Sequence, residues 1–241
     1  MPVSPNLPGK VCLVVCCLLL IFSLPAQTLI GGSIYDDEIE SMSYNHVWLQ
    51  YANTFRFKED MSIDSDFGHI FYTGNNAKRL NVRSTFKYNL TENLQIGAGM
   101  GFFWMYNTPN LSQELRFNQV ISYFKDFERS TMHHDFQIEE RLLQSQEELR
   151  DSKTRLRYRF GYTIPTGDNF YFGVFDEIFS HLNPDADEAT IHMNRAGAYI
   201  GYNTHQFFRL EAHVMMQDEF LKNHGLSHRA WVFQVRVKQI I

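Results

Sequence analysis

Residues 154–162 read TRLRYRFGY. A strand sends successive side chains to opposite faces, so Arg155, Arg157 and Arg159 share one side while Leu156, Tyr158, Phe160 and Tyr162 share the other. Two folds can use such a strand. A soluble sandwich exposes the charged face and buries the aromatic one, whereas a membrane barrel turns the charges inward and presents the aromatics to lipid.

The same division recurs along the chain. Asn81, Arg83, Thr85 and Lys87 oppose Val82, Ser84, Phe86 and Tyr88; Gln95, Gly97, Gly99 and Gly101 oppose Ile96, Ala98, Met100, Phe102 and Trp104. Further on, Arg209, Glu211 and His213 oppose Phe208, Leu210, Ala212 and Val214, and Gln234, Arg236 and Lys238 oppose Trp231, Phe233, Val235 and Val237. The pattern predicts strands over 45–57, 61–72, 80–90, 94–105, 113–125, 131–143, 150–164, 170–180, 190–202, 206–219 and 227–240. These exceed the five or six residues of an ordinary strand and suit tilted membrane crossings.

Short connections at 58–60, 91–93, 126–130, 166–169 and 203–205 alternate with longer links around 73–79, 106–112, 144–149, 181–189 and 220–226. Short turns at one end and longer loops at the other are the pattern of outer-membrane barrels. With every neighbour antiparallel, the strand number must be even. Eleven segments plus one within 27–43 predict an all-β, antiparallel transmembrane barrel of twelve strands, with ten as the alternative if one segment is wrongly split. Trp48, Tyr51, Trp104, Tyr106, Tyr123, Tyr158, Tyr162, Tyr171, Tyr199, Tyr202 and Trp231 recur toward strand ends, as interfacial aromatic girdles require.

The start of the chain supports an exported protein. Lys10 precedes the apolar run VCLVVCCLLLIFSL at 11–24, and Pro25 and Ala26 follow it. That run is short for a membrane helix, and the arrangement reads as a signal peptide over 1–26, leaving a barrel domain over 27–241. Cys12, Cys16 and Cys17 all fall within the leader, so the mature chain has no disulfide or thiolate metal ligand. Small residues do not precede Cys16 or Cys17, which argues against a lipoprotein. The formal charge of -5 becomes about -6 without Lys10, a balance opposed to nucleic-acid binding.

Inward-facing positions carry acids and bases in comparable numbers. Glu114, Arg116, Glu139, Arg141, Arg155, Arg157, Arg159, Glu177, Arg195, Glu211 and His213 are the candidate site residues. One reading is an interior network of ion pairs that fills and stiffens a narrow lumen. A sharper one makes 155, 157 and 159 a ladder for a small anionic solute oriented by Glu139 or Glu177, since a guanidinium fork suits carboxylate and phosphate.

Catalysis finds less support. Outer-membrane phospholipases use a His-x-Ser pair, which occurs nowhere in this chain. His213 with Glu211, or Asp176 and Glu177 near His181, offers an acid or base without a nucleophile. In His133-His134-Asp135 only the first and third residues share a face, so a metal site lacks a third ligand. No GxGxxG phosphate loop is present, and no cofactor is expected.

Trp48, Glu114-Leu115-Arg116, Arg155 to Phe160, Asp176-Glu177-Ile178-Phe179, Asn194-Arg195 and Gly201-Tyr202 occur in an order that resembles an uncharacterised family of bacterial outer-membrane β-barrels, a domain of unknown function common in Bacteroidetes. The resemblance spans roughly 45–240. It implies one barrel in the outer membrane, in contact with its lipid, and transfers no catalytic residue. The function expected is structural, or small-solute binding and passage through a charged lumen. A secreted or periplasmic soluble ligand-binding barrel and an outer-membrane lipid hydrolase are the alternatives.

Overall fold

The computed structural model describes residues 45–73, 77–106, 112–145, 151–184, 188–205, 207–221 and 225–241. Every alternating segment becomes a strand: β1 (His46–Lys58), β2 (Met61–Tyr72), β3 (Lys78–Asn89), β4 (Leu94–Tyr106), β5 (Ser112–Phe127), β6 (Ser130–Ser145), β7 (Asp151–Pro165), β8 (Phe170–His181), β9 (Glu188–His205), β10 (Phe208–Leu221) and β11 (Gly225–Ile240). Each pairs with its sequence neighbours, and β1 pairs with β11 to close the sheet. The leader and lead-in, including 27–43 where a twelfth strand was expected, lie outside the described residues.

Closure corrects the strand count. Twelve or ten follows only if every neighbour is antiparallel; here β1 and β11 run parallel, from His46↔Val232 to Thr54↔Ile240, and this seam lets eleven strands close a ring. Side-chain contacts reinforce it. Gln234 donates to Gln50 at 2.6 Å, the backbone N–H of Trp231 donates to Asn45 Oδ1 at 3.0 Å, and Tyr51 hydrogen-bonds Gln239. Beyond the last pair, Arg56 N donates to Ile241 O and Ile241 N to Thr54 O.

Register sets the dimensions. A row of partners starting at Thr131 on β6 passes Thr163, Gly173, Tyr199, His213, Gln234, Trp48, Ile70, Arg79, Met105 and Ser112, and returns to β6 at Ser145. The climb of fourteen residues is even, so an inward residue meets an inward residue on return. With strands about 4.8 Å apart and about 3.3 Å per residue, eleven strands and this shear give a tilt of about 40° and a radius of about 11 Å. Such strands can cross an apolar zone of about 25 Å.

The faces have inverted polarity. Outward Leu49, Met100, Phe136 and Val235 keep 49%, 56%, 51% and 46% exposure, whereas inward Glu139, Glu177 and Glu211 keep 0%, 1% and 1%. Leu156, Tyr158, Phe160 and Tyr162 pair with the outward residues of β6 and β8, and Arg155, Arg157 and Arg159 point inside. Three aromatics assigned to the girdles face the interior instead. Trp48 shares the parity of Gln50, and Tyr171 and Tyr199 share that of Phe175 and Arg195, so alternation overrides their position near strand ends.

Tight turns gather at one end. Thr91 Oγ1 accepts the backbone N–H groups of Asn93 and Leu94 at 3.2 and 3.0 Å, an arrangement by which a hydroxyl replaces a backbone acceptor. Gly167, at φ 117°, supplies a positive φ that a side chain would strain. Since β1 and β11 are parallel, Asn45 lies at the end opposite these turns and Ile241 lies with them. An epitope inserted after residue 44 and another after Ile241 are therefore expected on opposite sides of a membrane holding the barrel. Protease treatment of intact cells should remove one and spare the other; an even-stranded antiparallel barrel predicts the same fate for both.

Candidate functional site in the barrel interior

The interior is organised by carboxylates, each shared among several cations. On β6, Glu139 Oε2 accepts Arg155 Nε at 2.8 Å, and its Oε1 accepts Arg116 Nη1 at 3.3 Å and Gln137 Nε2 at 2.9 Å. On β8, Glu177 accepts Arg157 Nε at 2.7 Å and Arg195 Nη1 at 3.1 Å. On β5, Glu114 Oε1 accepts Arg116 Nε and Arg141 Nε, each at 2.8 Å, while Arg79 reaches Oε2 at 3.5 Å.

Two arginines join these centres. Arg116 contacts Glu114 and Glu139, and Arg157 contacts Glu177 and lies 3.7 Å from Glu139. Arg195 extends the chain to Gln217, which accepts its Nη2 at 2.7 Å. The result is one belt from β5 to β10. Period-two alternation produces it, because Glu139 opposite Arg155 and Glu177 opposite both Arg159 and Arg195 are register partners on one face.

Aromatic rings fill the space between guanidiniums. Arg79 and Arg116 lie 4.7 and 4.1 Å from the Phe103 ring centre; Arg155 lies 4.7 Å from Phe179, and Arg195 lies 4.8 Å from Trp48. Each ring presents a negative face to a cation with little access to water, which strengthens the attraction. The middle of the barrel is consequently a layer of guanidinium, carboxylate and ring.

A second group sits nearer the turns. Glu211 accepts Lys238 Nζ at 2.6 Å, the Tyr171 hydroxyl at 2.7 Å and His213 Nε2 at 2.9 Å. The His213 ring stacks on Tyr199, and its buried Nδ1 has no partner. Glu211 and His213 have the geometry of an acid–base pair, but no hydroxyl or thiol among the described residues hydrogen-bonds that imidazole. On β2, beyond the seam, Asp66 holds Arg83, with Nη2 at 3.0 Å, and accepts Gln50 Nε2 at 3.0 Å.

All eleven residues selected from the sequence face inward, but they separate into three sets. Glu114, Arg116, Glu139, Arg141, Arg155, Arg157, Glu177 and Arg195 form the belt; Glu211 and His213 belong to the second group; Arg159 joins neither closely, with Nη1 4.0 Å from Glu177. The even ladder of three arginines is therefore unequal, since 155 and 157 are committed to buried carboxylates. Sequence reasoning missed Arg79, Lys238, Trp48, Phe103 and Phe179, although the alternation of their strands carried the signal. His133 and Asp135 share the inner face, and among the described residues no group of three or more His, Cys, Asp or Glu side chains is placed to hold a metal ion.

A family model described as "Protein of unknown function (DUF2490)" matches residues 45–227, from the start of β1 to the first residues of β11. No curated protein matches the chain.

The belt predicts an unequal response to mutation. Glu139→Ala leaves Arg155 buried without its carboxylate, removes one of the two that Arg116 contacts, and should lower stability by about 3–5 kcal/mol. Urea titration of the folded barrel in micelles measures this; a change below about 1 kcal/mol would contradict it. Glu139→Ala and Arg157→Ala should also combine non-additively, because they disrupt one network.

Proposed function

Because the chain belongs to the DUF2490 family, matched across its barrel, we propose that it is an outer-membrane β-barrel of a diderm bacterium, delivered by the leader at 1–26. Its interior acts as a braced, charge-filled partition that stiffens the wall and restricts passage to small solutes. The observation that carries this reading is the inverted polarity: apolar side chains cover the outside while Glu139, Glu177 and Glu211 are enclosed. A contiguous apolar surface of this extent is costly in water and favourable in lipid. Strand tilt and length support the same setting.

A soluble ligand-binding barrel would reverse the two faces, with its dry side inside. The belt also argues against a wide aqueous pore, since side chains from β1 and β4 to β10 meet in the lumen.

Fractionation and heat-modifiable gel migration test the proposal. The protein should sediment with outer membranes and migrate faster unheated than boiled; a periplasmic, heat-insensitive protein would overturn it. In planar bilayers the parent should lack the steady large conductance of an open porin, and Trp48→Ala with Phe179→Ala should raise conductance. A parent that conducts like a wide pore would contradict the closed partition.

A further inference from the structure

Two interior arginines, Arg236 and Arg159, have a buried Nε with no hydrogen-bond partner among the described residues. Arg236 on β11, the register partner of Glu211, makes no hydrogen bond or ion pair with the described residues, and its buried Nε has no partner among them. Arg159 on β7 also has a buried, unpartnered Nε; its closest carboxylate contact is 4.0 Å and its guanidinium rests 4.5 Å from the Phe175 ring centre. The row of register partners from Arg159 runs through Glu177, Arg195 and Gln217 to Ala230 on β11, and the climb of the sheet then sets Arg236, six residues nearer the turns, at about the height of Arg159; Lys238 follows Arg236 on the same face and Arg83 lies on β3.

The surrounding carboxylates are largely engaged. Glu211 already accepts Lys238, Tyr171 and His213, while Asp66 accepts Arg83, Gln50 and Asn81. Glu177 is taken by Arg157 and Arg195. Asp135 is the exception: it is the register partner of Arg159 and accepts no hydrogen bond from the described residues. Two half-buried like charges with unused donors form an unfavourable arrangement that a counter-anion relieves.

We propose that Arg159 and Arg236 form a binding site for a small doubly charged oxyanion of the phosphate or sulfate type. Two cations with unused donors can together hold a dianion, and two planar forks approaching from different strands match a compact group with several acceptor oxygens. Phe175 supplies one wall and holds the Arg159 guanidinium from behind. Asp135 competes with the ligand, because its carboxylate can accept the same donors when the site is empty. The site lies on the turn side of the Glu139–Glu177 belt, so an anion enters from the short-turn end. This inference rests on the interior geometry and does not depend on which membrane holds the barrel.

The test uses purified, folded full-length barrel in a neutral detergent. Sodium sulfate and sodium phosphate are titrated by calorimetry against sodium chloride at matched ionic strength, with heat-modifiable migration as the check on folding. One saturable dianion per barrel is expected, with Arg159→Gln and Arg236→Gln each weakening it about tenfold or more and Asp135→Asn tightening it. Arg56→Gln, at the exposed rim, should leave binding unchanged. If Arg159→Gln fails to fold, Arg159→Lys replaces it and should weaken binding by removing the fork while keeping charge. Absence of saturable binding, or parent-like binding by both arginine variants, would overturn the site. Because the assay is in detergent, its failure leaves the membrane location to be judged by fractionation alone.

Discussion

A carboxylate removed from water must be matched by cations and hydrogen-bond donors, and this requirement organises the barrel. Glu139 and Glu177 are almost wholly enclosed, and between them they engage Arg116, Arg155, Arg157 and Arg195. Because these groups come from different strands, their pairing ties distant parts of the wall together. Arg157 matters most in this respect, since it approaches both acids. The rings of Trp48, Phe103 and Phe179 then occupy volume that guanidiniums cannot fill, and gain from lying against them.

Closure imposes a different condition. An even climb returns each inner residue to an inner residue, so a sheet with one polar and one apolar face can meet itself without exchanging them. The strand number has no such restriction once one parallel pair is present. The β1–β11 seam therefore reconciles eleven strands with strict alternation, and it sends the two ends of the described chain to opposite rims. The interior takes advantage of the join: Trp48 of β1 lies beneath Arg195 of β9, and Gln50 is paired with Gln234 across the seam.

Much of this was legible from local pattern. The segment 113–125 became Ser112–Phe127 and 61–72 became Met61–Tyr72, because period-two polarity and turn residues are local properties. Closure is not local. Nothing in the neighbourhood of His46 or Val232 marks them as parallel partners, so the even count followed from an assumption about pairing. Likewise, alternation indicates that Arg155, Arg157 and Arg159 point inward, whereas their distances to Glu139 and Glu177 decide which guanidiniums are engaged. Trp48 shows the risk of using residue type in place of parity: a tryptophan near a strand end suggested an interface, but its alignment with Gln50 places it inside.

Strand β7 thus combines the wall's two environments at successive residues, and the absence of cysteine from 45–241 makes it suitable for labelling. The most direct test is single-cysteine scanning of 155–162 with an environment-sensitive fluorophore in vesicles containing brominated lipid. Quenching should alternate, strong at 156, 158, 160 and 162 and weak at 155, 157, 159 and 161. Uniform quenching, no quenching, or the opposite phase would contradict a barrel with lipid outside and charge within.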